Sequence, residues 1–206
     1  DQSTTTDLVP ETASERTLDY RDTAGHRAAL TLTEGARTLF REGLAAEGEQ
    51  KLPFTELLVP DTQTDRQAAG IIQGCWQNTL GASINVMPLA VDELWRRGYA
   101  GDYDMALLPL SDSTAMGLLE NFASDTDRYR TGWKSEEYDA LLDQAAAETG
   151  EQAVRTLAQA EQQLLRSGVV LPLYTSVSYY AVSSEVQGAW IDPGEGVIYI
   201  KYITKS

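Results

Sequence analysis

Apolar residues fall along this chain in blocks of two kinds, short unbroken runs and stripes at helical spacing. Ala36, Leu39, Phe40 and Leu44 recur at helical spacing behind Thr33, and Gly48 supplies a stop. Thr55-Glu56-Leu57-Leu58-Val59 is a strand-length run closed by Pro60-Asp61. Thr62, with Asp65 three places on, forms a capping arrangement ahead of the stripe Ala68, Ala69, Ile71, Ile72, Cys75, Trp76 and Leu80, which Gly81 ends. Ser83 to Leu89 reads as the next strand and Val91 to Arg97 as a short helix. Met105 to Leu110 is then an unbroken apolar run, the pattern of a strand covered on both faces and the expected centre of a sheet. Gly101-Asp102 supplies turn chemistry in front of it, and Pro109 followed by Ser111-Asp112-Ser113 ends it. Strand, helix, strand, helix, strand is the order of an α/β fold whose sheet is mixed, mostly parallel and flanked by helices.

The flanking segments differ in character. Residues 1–30 are polar, with Val9-Pro10 as apolar punctuation, and read as extended or irregular connection. Ala115 to Phe122 reads as helical. Ser135 with Glu136 and Glu137 makes an N-cap and acidic first turn for a helix carrying Tyr138, Leu141, Leu142 and Ala145 on one face. A second helix, Gln152 to Arg166, aligns Ala153, Leu157, Ala160, Leu164 and Leu165 before Gly168, so the two predict a helical pair. Val169 to Tyr174, Ser178 to Val182 and Gly196 to Ile203 are rich in Val, Ile and Tyr and predict short strands.

Composition narrows the function. The 206 residues suffice for a real core, and no window reaches the roughly 18 apolar residues of a membrane helix. Net charge is −15, from 16 Lys and Arg against 31 Asp and Glu, so the surface repels phosphate backbones and anionic lipid, which excludes nucleic acid as a partner. Cys75 has no second cysteine to pair with, and on the apolar stripe it reads as a buried inert thiol. One cysteine and one histidine, His26 in a polar loop, do not make a usual zinc site. Asp102 with Asp104 lacks the further ligands of a Ca²⁺ loop. No nucleophile elbow, phosphate loop or His-Glu-X-X-His is present. The chain reads as a non-enzyme with no cofactor and no metal.

Binding is the chemistry left. In open α/β sheets ligands collect where the carboxyl ends of strands meet loops, which selects Asp61 and Thr62 after one strand and Pro109, Leu110, Ser111 and Asp112 after another. Trp133, a loop aromatic between Gly132 and a helix cap, can line a groove or pack beneath the helix start. Arg96 and Arg97 can meet carboxylates of the protein itself or of a ligand.

The order of pieces resembles the family 5 extracellular solute-binding proteins of ABC importers, above all the oligopeptide- and dipeptide-binding ones. The similar residues are Ala36-Arg37-Thr38-Leu39-Phe40 with Gly43-Leu44, then Ala69-Gly70-Ile71-Ile72-Gln73 with Trp76-Gln77-Asn78-Thr79-Leu80-Gly81, and Gly101-Asp102-Tyr103-Asp104. Leu118 to Ser124, Gly132-Trp133-Lys134-Ser135-Glu136-Glu137-Tyr138, Ala160 to Leu165, Leu171-Pro172-Leu173-Tyr174, Val186-Gln187-Gly188 and Ile198-Tyr199-Ile200-Lys201 continue the series.

The resemblance implies the second lobe of a periplasmic-binding-protein type II clamp. Residues 1–32 would be a hinge-side leader, 33–173 the lobe, and 174–206 short strands packing against a first lobe outside this chain. It implies a peptide or similar small polar ligand, an ABC permease as partner, and an extracellular or periplasmic location. A signal peptide and lipid-anchor cysteine would lie upstream of residue 1. Family members that bind peptides usually carry a Trp and then an Asp after the central strand. Here Leu110 stands at the Trp position, the loop is about two residues shorter, and Asp112 is the candidate for the Asp that pairs with the peptide's amino group. The position of a cationic contact in some members falls near Leu107, leaving Arg97 as the nearest cation. The alternative reading is an interaction domain derived from such a lobe that has lost its ligand site.

Overall fold

The computed structural model describes residues 2–4, 7–26, 35–176, 181–191, 198–199 and 201–205. These form two compact units. One, the helical unit, comprises Asp1–Ala29, Leu110–Asp127 and Gly132–Ser206; the other, the sheet unit, comprises Leu30–Pro109 and Arg128–Thr131.

The polar leader is more ordered than its composition suggests. It holds β1 (Gln2–Thr4), a hairpin of β2 (Ser14–Glu15) and β3 (Leu18–Asp19), and α1 (Tyr20–Ala24). Val9, Ala13 and Tyr20 are fully or almost fully buried in the helical unit. Scattered core positions in so short a run carry no period, which is why the pattern hid them. The two-residue turn of the hairpin, Arg16-Thr17, has φ values of 48° and 76°. Both are left-handed, as a type I′ turn requires, although neither residue is one that favours that region.

In the sheet unit, α2 (Ala36–Ala46) precedes β4 (Glu56–Pro60), α3 (Gln63–Leu80), β5 (Asn85–Leu89), α4 (Val91–Ala100) and β6 (Met105–Ala106). Thr33, the expected start of the first helix, lies outside the described residues. The sheet is parallel in the order β5-β4-β6. Leu57 and Val59 pack with Ala69 of α3 and Ile84, and Ile72, Trp76, Val86, Met105 and Leu107 close over them. Leu58, on the opposite side by strand alternation, is fully buried as well.

The expected centre of the sheet is therefore displaced. β4 is the middle strand, and the run Met105–Leu110 gives only a two-residue edge strand. The Leu107 N–H still donates to the Leu58 carbonyl at 2.8 Å, but the chain then reaches Pro109, which has no N–H to offer the ladder. Pro88 is tolerated in β5 because β5 is the other edge. Thr62 caps α3 by accepting from the Asp65 N–H, and Gly81 and Gly101 end α3 and α4 at φ 72° and 71°. Cys75 is exposed rather than buried, because α3 turns only part of its stripe to the sheet; Ile71 on the same helix is 68% exposed. Trp95 stacks on Tyr99, with ring centres 5.3 Å apart, at the surface of α4.

In the helical unit, α5 (Ala115–Glu120) leads to the antiparallel pair α6 (Glu136–Ala147) and α7 (Glu151–Ser167). Ser135 caps α6 as expected, accepting from the Tyr138 N–H at 3.2 Å, and Leu157, Ala160, Leu164 and Val154 of α7 are fully buried. Arg16 reaches from the hairpin turn to the end of α6, donating to the carbonyls of Glu148 and Ala146. The remaining strands are short: β7 (Tyr174–Ser176), β8 (Val186–Gln187), β9 (Trp190–Ile191), β10 (Ile198–Tyr199) and β11 (Thr204–Lys205). β1 pairs with β7, β9 with β10 and β8 with β11, all antiparallel. The strand expected over Ser178 to Val182 falls largely outside the described residues, as do Gly196, Val197 and Ile200 of the last one.

Candidate functional site

The sheet unit has its connection reversal at β4, with β5 on one side and β6 on the other. That is the arrangement in which the carboxyl ends of neighbouring strands open a crevice. Asp61 and Thr62 stand at the carboxyl end of β4. The Asp61 N–H donates to the Leu89 carbonyl at 2.8 Å, which fixes the backbone, and its exposed carboxylate pairs with Arg66. The Thr62 hydroxyl is engaged with Asp65, accepting from its N–H at 3.1 Å and donating to Oδ2 at 2.6 Å. Pro109 follows β6 toward the same end and is exposed.

Arg97 is at the other end. Its Nε donates to the Asp102 carbonyl and carboxylate, each at 3.0 Å, and its Nη2 lies 3.7 Å from Glu56 at the start of β4. Arg96 is held by Glu93 in a two-point pair at 2.6 and 2.7 Å. Both arginines thus have carboxylate partners inside the protein, and the structure does not bring Arg97 to the carboxyl ends of the strands.

Leu110, Ser111 and Asp112 open the helical unit's central segment. Ser111 is exposed, and Leu110 and Asp112 are half-buried. The segment is held from its own unit. The Ser14 N–H of β2 donates to the Ser113 carbonyl at 3.0 Å, and Ser14 pairs with Thr114 in a parallel bridge. Glu15, almost buried, accepts from the Met116 N–H at 3.3 Å, in the first turn of α5. Asp112 Oδ1 accepts from the Thr114 N–H at 2.9 Å and from the Thr114 hydroxyl at 3.1 Å. Among the described residues Asp112 Oδ2 takes no hydrogen bond, so one carboxylate oxygen is anchored and the other is not. An anchored carboxylate with one oxygen left unpaired is an acceptor for an ammonium or guanidinium group.

Trp133 lies beneath the start of α6, half-buried, with its ring edge-on to Tyr138 at 5.0 Å. Tyr138 donates its hydroxyl to the Leu119 carbonyl at 2.8 Å, and burial pushes its ionisation far above the usual phenol range. The four residues Leu110, Ser111, Asp112 and Trp133 belong to the helical unit; Asp61, Thr62, Arg97 and Pro109 belong to the sheet unit.

The pattern of the chain did not mark the residues that hold the Asp112 segment. Glu15 and Ser14 act on a helix a hundred residues away, which no local spacing reveals. Thr114 was legible: a Thr directly before Ala-Met-Gly-Leu-Leu is an N-cap signal, and its hydroxyl accepts from the Gly117 N–H at 3.0 Å. A buried ionic cluster was equally unmarked. Glu161 of α7 accepts from the Leu8 and Val9 N–H groups, each at 2.9 Å, from Arg21, and from the Tyr20 hydroxyl at 3.2 Å. Burial, then the charge of Glu161, drives the Tyr20 phenol far above its ordinary range. His26, exposed as expected, sits 2.8 Å from Asp7 beside this cluster. A shallow concavity of about 430 Å³ is lined by Arg21, Gly25, His26, Gln159, Glu161 and Gln162, and by none of the strand-end residues.

An α/β unit with a parallel sheet flanked by helices, and a helical unit with paired terminal strands, make a fold shared with solute-binding domains of known structure. The resemblance read in the sequence holds against known proteins. The chain is similar to the dipeptide-binding protein DppE of Bacillus subtilis (strain 168), 25% identical over 191 residues, which is 91% of this chain and 35% of that protein. It is also similar to the substrate-binding domain of an oligopeptide ABC transporter from Bacillus anthracis str. Ames, with a TM-score of 0.82, 19% identity, and coverage of 100% of this chain and 41% of that one. Listeria monocytogenes OppA bound to peptide gives a TM-score of 0.82 at 19% identity, covering 100% and 40%. No family model matches the chain. The chain thus spans little more than a third of the length of its curated relative.

Proposed function

We propose that this chain is part of the substrate-binding component of an ABC importer, one that captures a peptide or similar small polar solute between two lobes and delivers it to a membrane permease. The observation that carries the reading is the extent of the likeness: all of this chain matches, at a TM-score of 0.82, part of a protein bound to peptide. The binding chemistry is capture without bond making. An open form closes on the ligand because the closed form alone offers both walls, so ligand shifts the population toward it. In the helical unit Asp112 receives the ligand's amino group on Oδ2, with Ser111 and Leu110 beside it and Trp133 as a further contact. In the sheet unit Asp61, Thr62 and Pro109 offer polar and apolar edges at the ends of β4 and β6. Arg97 keeps its internal carboxylates. Residues 174–206 pack against a first lobe outside this chain, and the intact protein works outside the cytoplasm, held at the membrane by a lipid.

Mass spectrometry of solute released on denaturing the full-length protein tests this. Peptides are expected in the released fraction, together with a thermal shift when peptides are added back. A full-length protein that purifies empty and does not shift with any peptide would favour the second reading, an interaction domain descended from such a lobe. Leu110 at the position of the family's tryptophan, and Leu107 packed into the core, are the observations on that side.

A further inference from the structure

Gly117 lies in the first turn of α5, and the space its side chain would fill is taken by Asp112. A Cβ built there would stand 2.6 Å from Asp112 Oδ1, 2.7 Å from Oδ2 and 2.8 Å from Cγ. Those separations are shorter than any real contact, and all three atoms are the carboxylate itself. The other glycines inside helices give the contrast: Gly43, Gly70 and Gly74 face open space, and the nearest atom to a Cβ at Gly98 is 3.8 Å away. The carboxylate therefore lies flat against the backbone of α5, and only glycine permits it.

The same contact closes a ring. Asp112 Oδ1 accepts from the Thr114 hydroxyl at 3.1 Å, and the Thr114 oxygen accepts from the Gly117 N–H at 3.0 Å. The Thr114 N–H completes the anchoring of Oδ1 at 2.9 Å. Oδ1 carries two hydrogen bonds and the carboxylate packs against Gly117, which leaves Oδ2 as the oxygen with no hydrogen bond among the described residues. We infer that Gly117 is a specificity-determining position: the absence of a side chain there holds the Asp112 carboxylate where it selects ligands bearing a cationic amino group. The inference rests on the reading of Asp112 as a ligand acceptor and adds to it the residue that sets its geometry.

The substitution Gly117→Ala is a sharp test because alanine is the better helix former. Any loss it causes comes from the displaced carboxylate and not from a weakened helix. The full-length protein and its Asp112→Asn, Gly117→Ala and double variants are titrated with a tripeptide library, free or N-acetylated. Thr114 amide exchange is measured by NMR on the same proteins without ligand.

The wild type is expected to prefer the free amines by roughly tenfold to a hundredfold, the range of a charge-assisted hydrogen bond. Asp112→Asn and Gly117→Ala should each abolish most of that preference, and the double variant should lose no more than either single one. Thr114 amide protection should fall in Gly117→Ala with the melting temperature unchanged or higher. A Gly117→Ala protein that keeps both the preference and the protection overturns the inference. A wild type without any preference overturns the ligand role of Asp112, and with it the specificity role of Gly117. In that case the exchange data still report whether Gly117 places the carboxylate.

Discussion

Thr17 is a β-branched residue held at φ 76°, beside Arg16 at 48°, in a turn whose type favours Asn and Gly. Such a residue costs of order 1 kcal/mol or more, and it persists because Arg16 ties the turn to the end of α6 while Ser14 and Glu15 tie the hairpin to the Asp112 segment. Thr17→Gly is expected to raise stability by about 0.5–1 kcal/mol in thermal denaturation, the relief of strain being partly offset by the entropy glycine adds to the unfolded chain. Glu161 is the opposite case. Its carboxylate is the shared acceptor for Arg21, Tyr20 and two backbone N–H groups, and its side chain is 3% exposed. Glu161→Ala leaves those donors and a buried guanidinium without it, and should cost about 3–5 kcal/mol in denaturant unfolding. Neither residue stands out in the sequence. A strained turn and a buried charge are defined by what surrounds them, and the surroundings come from the other half of the chain.

Elements were more legible than residues, and their ends more legible than their neighbours. The caps at Thr62, Gly81, Ser135 and Gly168 fall where the sequence puts them, because a cap is local chemistry: a side-chain oxygen facing free N–H groups, or a glycine at positive φ. Ser135→Ala removes an acceptor for the Tyr138 N–H and the partner of Gln163 Nε2 at 2.9 Å, and should cost about 1 kcal/mol in chemical denaturation. The ranking of strands was not legible. The run Met105–Leu110 and the run Leu57–Val59 are both apolar and of strand length, and composition does not say which sits in the middle. Pairing decides it: β4 finds partners on both sides, and Pro109 cuts β6 short. The leader hides its elements for a related reason, since strands of two residues and a helix of five are too short to show a period.

At the scale of the whole molecule, two buried phenols set its response to alkali. Tyr20 and Tyr138 both ionise far above the ordinary value when folded, burial being the first cause in each case. A raised folded-state pKa means the native protein holds its phenol protons where the unfolded chain releases them. The stability they contribute is intact below roughly pH 10 and falls as pH rises beyond it. Melting temperature should therefore drop above about pH 10, with tyrosinate absorbance appearing at unfolding, and Tyr20→Phe should flatten the decline. If Tyr20 ionised in the folded protein near the ordinary value, the burial account of the Glu161 cluster would be wrong.

The class of fold was the most legible feature at this scale, through alternating strands and helices and a series of short similarities in order. The identity of the ligand was the least, because the residues at the strand ends sit in two units of the chain. In the function we propose, this chain holds only part of the grip on a peptide. Isothermal titration of one peptide mixture into this chain alone and into the full-length protein tests it most directly. Saturable binding is expected from the full-length protein, and at least about a hundredfold weaker binding from the chain alone, the scale on which contacts and enclosure are lost. Equal affinity of the two, or no peptide binding by either, would contradict it.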